Sequence, residues 1–166
     1  MVSIILVVIS IALLASVAAV SMNHIPVDAY LRQQMQKEAE AGIQMASNGV
    51  GRYFNSHRDT EGNIIYPGDG VNLAPLYAPN YGFLPQDIRK ELTWEVTAAK
   101  LSPDLPAAAI CLRPVSTSTA LQQDVLEHLR AQLPVGSAYV NTGCNATSNV
   151  VGGTHLTYWL PISHIN

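Results

Sequence analysis

Hydrophobic positions along this chain change their period twice. Met1 to Met22 is apolar without any period, broken only by Ser3, Ser10, Ser16 and Ser21. As a helix rising 1.5 Å per residue it would span roughly 33 Å, about one hydrocarbon core. Asn23-His24-Ile25-Pro26 ends the run. Pro26 lacks an N–H and restrains Ile25, which predicts a kink in a continuing helix, with a plain linker as the competing reading. A period of three to four then sets in at Val27, Leu31, Met35, Ala39, Ile43, Ala46, Val50 and Tyr53. That spacing predicts an amphipathic helix over 27–56, with Arg32, Gln36, Lys37, Glu38 and Glu40 on its other faces. Asn48, Gly49 and Gly51 weaken its last turns, so the helix should end near Phe54.

From 57 to 91 the periodicity lapses. His57 to Gln86 is rich in Gly, Pro, Asn and Asp, which predicts a long loop that packs through Tyr66, Tyr77, Tyr81 and Phe83. A short helical turn is expected at Asp87 to Glu91. Leu92 to Ala98 alternates as a half-buried strand should, and Ala107 to Val115 is a second strand. Leu121, Val125, Leu129 and Leu133 mark a helix. Thr119 and Gln122 offer it a capping box, and Pro134 with Gly136 ends it. Gly136 to Asn141 and Thr154 to Leu160 supply two more strands. The expected fold is α+β, a long N-terminal helix on an antiparallel sheet of about four strands. Residues 1–26 form an apolar helix and 27–166 a globular head, with helix and sheet over 92–166. The stripe Leu31, Met35, Ile43 and Val50 is short and diluted by alanine, so its own sheet is expected to cover it rather than a coiled-coil partner.

Charge is placed unevenly, and this changes the picture. Met1 to Val27 contains no Asp, Glu, Lys or Arg, and the whole chain of 166 residues carries a net charge of −3. No Lys/Arg stripe exists to track a phosphate backbone, so nucleic-acid binding is not expected. Two cysteines, Cys111 and Cys144, follow a membrane-targeting segment. That context favours an oxidising compartment and one disulfide, against the alternative of two buried thiols. Neither lies in a C-x-x-C pair.

Three readings of the apolar end compete. A cleaved secretory signal wants a basic n-region, and nothing basic precedes this run. A signal anchor usually has flanking Lys or Arg, and the nearest here is Arg32. In the third, a short charged leader has been removed to leave an apolar mature N-terminus.

A charge-free apolar helix starting at Met1, a proline near position 26, a helix-then-sheet head and two cysteines in the C-terminal half together resemble the type IV pilin family. Its second subclass often begins with Met, and the match extends to minor pilins. The run Tyr81-Gly82-Phe83-Leu84-Pro85 is similar to minor pilins of conjugative systems. The resemblance implies cleavage by a prepilin peptidase and a methylated N-terminus. It implies storage in the bacterial inner membrane with a periplasmic head, and assembly by pilus machinery into an extracellular helical filament of identical subunits. Met1, Ile5, Val7, Leu14 and Val17 would then belong to the filament core, and the segment delimited by Cys111 and Cys144 would carry adhesive surface. The family typically has a glutamate at the fifth position, where this chain has Ile5. That departure leaves a minor or tip pilin, or a membrane-anchored binding domain, as the alternative. Adhesion, motility, secretion and conjugation are all implied roles.

Chemistry-bearing motifs are few. The histidines at 24, 57, 128, 155 and 164 form no H-x-x-x-H or H-E-x-x-H arrangement, and no nucleophile elbow, P-loop or dinucleotide fingerprint occurs. Asn145-Ala146-Thr147 fits a glycosylation sequon. Neither catalysis, a metal nor a cofactor is expected.

Overall fold

The computed structural model describes residues 27–102 and 105–162. Helix α1 spans Val27–Ser56, α2 Ala74–Tyr77 and α3 Ala120–Gln132. Strands β1 to β4 span Leu92–Ser102, Leu105–Pro114, Ala138–Asn141 and His155–Pro161. All strand pairs are antiparallel, in the order β1-β2-β4-β3. The protein is therefore α+β, a long helix packed on a four-stranded sheet. By contact the chain divides into two units, Met1–Leu31 and Arg32–Asn166. Of the first, only 27–31 is described, and the kink expected at Pro26 lies outside the described residues.

Within the second unit the α1 stripe is buried. Met35, Ala39 and Ile43 pack with Leu92, Leu112 and Leu156 of the sheet and with Val125, Leu126 and Leu129 of α3. Further along, Ala46, Val50, Tyr53 and Phe54 pack with Val96, Ala98, Ala108 and Ile110. Leu31 is half-buried and Val27 is exposed. Two glycines let neighbours reach the helix backbone. The Trp94 indole lies so close over Gly42 that a Cβ there would overlap it. At Gly49 a Cβ would stand 2.6 Å from Cδ2 of Tyr77. Arg32 on α1 meets Asp124 on α3 at 2.7 Å, with both side chains about half exposed; such a pair contributes at most about 1 kcal/mol.

Helix α3 starts as expected. Gln122 N–H donates to Thr119 Oγ1, and Thr119 N–H donates to Gln122 Oε1. The buried Gln122 also donates through Nε2 to Glu91 Oε2 at 3.1 Å, tying the helix start to the turn before β1.

That turn is the main departure from expectation. No helix forms at Asp87 to Glu91. Ile88 and Leu92 exchange N–H···O=C bonds across a tight hairpin instead. Arg89 and Lys90 both sit at positive φ, 51° and 61°. Such turns usually announce themselves with Asn-Gly or Asp-Gly, which are absent here. The 57–86 loop packs largely as expected: Tyr77 is fully buried, and Tyr66 and Tyr81 are half-buried. Phe83 departs from this, being 73% exposed.

Candidate functional site

In a β-strand alternate residues face opposite sides of the sheet. Val96, Ile110 and Leu156 turn to α1, so Glu95, Thr97, Cys111, Thr157 and Trp159 occupy the other face. The disulfide Cys111–Cys144 forms across this face, with Cα atoms 5.7 Å apart and a sequence separation of 33. It holds the 142–154 loop against the sheet. Thr97 Oγ1 donates to Asn145 Oδ1 at 3.1 Å, and Trp159 Nε1 donates to the Ala146 carbonyl at 2.8 Å. Beneath the loop, Ala107, Ala109 and Trp159 form a small apolar cluster. Asn145, the sequon asparagine, adopts a positive φ of 61°.

Further along this face, Arg113 Nε lies 3.3 Å from Glu95 Oε2. Both groups influence His155, whose Nδ1 is 2.8 Å from Thr154 Oγ1. Partial burial holds the His155 imidazole below its ordinary range. The Arg113 charge pushes the same way, and Glu95 opposes both. Burial alone pushes the Tyr77 phenol up to about 12, and its hydroxyl, like that of Ser47, has no partner among the described residues. His128 is exposed on α3, beside Gln132.

Loops occupy the two edges of the sheet. On β3, Val140 N–H donates to Asn149 Oδ1 and Val140 C=O accepts from Val150 N–H. On β1, the Val96 carbonyl accepts from Leu73 N–H, and Ala98 pairs with Gly70 and Val71. A cleft of about 500 Å³ opens at the β1 edge, with Asn72, Asp87, Trp94, Glu95 and Arg113 in its wall. Residue alternation could not reveal this cleft, because it does not say which strand lies at an edge.

Met35, Ile43 and Val50 line the core under the sheet, and the two cysteines are joined. Met1, Ile5, Val7, Leu14, Val17 and Pro26 lie outside the described residues. Among the described residues no helix is long and apolar enough to cross a membrane, and no group of three or more His, Cys, Asp or Glu could hold a metal ion. The chain matches no family model, no curated protein and no solved structure.

Proposed function

We propose that this chain is a structural subunit of a type IV pilus-like filament, held in a bacterial inner membrane before assembly and polymerised through residues 1–26. The observation that carries the reading is a run of 27 residues without Asp, Glu, Lys or Arg that leads directly into α1. Supporting it are the packing of α1 on an antiparallel sheet and the disulfide across the C-terminal half of the head. The long helix is pilin-like in this reading, kinked at Pro26, with Met1, Ile5, Val7, Leu14 and Val17 in the filament core. Burying a large apolar side chain contributes roughly 1.5–3 kcal/mol. Such a segment leaves lipid only when other apolar helices replace it. Its partners are copies of itself, the inner membrane and the assembly machinery, and its work is structural rather than catalytic.

Ile5 favours a second reading, a minor or tip subunit or a tethered periplasmic binding domain with an adhesive role. Electron microscopy of sheared surface material, with N-terminal sequencing of the subunit, separates the two. Filaments built mainly of this chain support the first. A chain present only in the membrane fraction, with no filament containing it, overturns it.

A further inference from the structure

Every second residue of β1 turns its backbone N–H and C=O towards the outer edge of the sheet. Leu92 uses both on Ile88, Val96 accepts from Leu73, and Ala98 pairs with Gly70 and Val71. Trp94 has the same parity, yet among the described residues its outward N–H and C=O have no partner. The neighbouring loop does not close this gap. Pro85 has no N–H to give, and the Gln86 carbonyl already accepts from Trp94 Nε1 at 3.0 Å. The Trp94 N–H and C=O, with the Val96 N–H beside them, are thus left open among the described residues, between two covering loops and inside the cleft of about 500 Å³.

The cleft has a definite chemistry. Asp87 Oδ1 accepts from Thr93 Oγ1, leaving Oδ2 free. Glu95 is held by Arg113 through Oε2, leaving Oε1. Two carboxylates and one guanidinium therefore line the cleft. Ala74 and Leu84 are shared with an adjoining apolar hollow whose wall includes Met45, Pro75 and Phe83.

We propose that this cleft binds an extended peptide segment of alternating apolar and basic residues. One peptide residue completes the edge by exchanging both backbone hydrogen bonds with Trp94. Its side chain then points to the α1 side, into the apolar hollow, and its neighbours point to the opposite side, where Glu95 and Asp87 lie. A peptide offers an N–H and a C=O at the spacing of a missing strand, which a saccharide's hydroxyls do not. This inference is independent of the filament reading.

The test uses the full-length chain in detergent micelles and the blocked peptide acetyl-Val-Lys-Val-Lys-Val-amide. Amide chemical shifts and hydrogen exchange report on Trp94. The expected result is saturable binding that shifts and protects the Trp94 amide. The same peptide N-methylated at its three valines should bind about tenfold or more weakly, since the shared backbone bonds are lost. Asp87→Lys should reverse the preference towards acetyl-Val-Glu-Val-Glu-Val-amide. Equal binding of the N-methylated peptide, no binding at millimolar peptide, or perturbation of the same amides by cellotriose would each overturn the proposal. The N-methyl comparison needs no variant protein, so it stands even where Asp87→Lys fails to fold.

Discussion

Replacing a helical glycine by alanine ordinarily strengthens a helix by about 1 kcal/mol, and Gly42 and Gly49 should reverse that sign. At both positions the new Cβ meets an aromatic ring, Trp94 or Tyr77, rather than solvent. Overpacking of this kind costs about 1–3 kcal/mol, so Gly42→Ala and Gly49→Ala should each lower the denaturant midpoint. Gly143→Ala, where nothing lies within 4 Å, should leave it nearly unchanged. His155 supplies a second residue-scale prediction. Its imidazole is held below the ordinary value of 6.5, so the unfolded chain binds the proton more readily than the folded one. Its contribution is complete above about pH 6.5 and is lost as the pH falls through the lower, folded value. Urea unfolding at pH 7.5 and pH 5.5 should show a smaller loss on acidification in His155→Gln than in the parent. An equal loss in both would mean that other groups govern the acid limb.

Elements were legible where local chemistry decides them. Thr119 and Gln122 marked the start of α3 because a capping box needs only four residues, and Thr119→Ala should cost about 1 kcal/mol in urea unfolding. The α1 stripe was legible because one face of the helix is buried over many turns. The hairpin at Arg89-Lys90 was not, since neither residue advertises a positive φ and the tertiary fold imposes it. Likewise α2 is four residues long, too short to leave a period. At the candidate cleft, nothing local singles out Asp87, Glu95 and Arg113, because their sharing one wall depends on the pairing of β1 with β2 and on the loop before it. The disulfide was legible from count and context alone, but its lie across the sheet was not. Replacing both cysteines by alanine should destabilise the head by about 3–4 kcal/mol in the chain-entropy model, read as a lower urea midpoint.

For the whole molecule, the apolar segment 1–26 decides between filament and anchor. On the filament reading proposed above, Leu14→Asp should abolish filaments while the head stays folded. A charge at the centre of a span costs roughly 2.5–3.5 kcal/mol, and Met1 to Val27 offers no Lys or Arg to pair with it. Glu127→Lys on α3 should leave assembly largely intact. Normal surface filaments from Leu14→Asp would reassign the segment as a simple anchor. Residues 28–166 expressed alone should be a folded monomer, since Met35, Ile43 and Val50 are already covered within the head. An obligate helical dimer would contradict that. The turn that covers β3 depends on the disulfide. Val150 and Asn149 reach Val140 from a loop that is fastened to the sheet at Cys144. While the cysteines are still reduced that fastening is missing, so a newly made chain passes through an interval in which its edge strand β3 can pair with a neighbour's. Oxidation then sets a kinetic deadline, because the faster the bond closes, the fewer chains are lost to irregular aggregates.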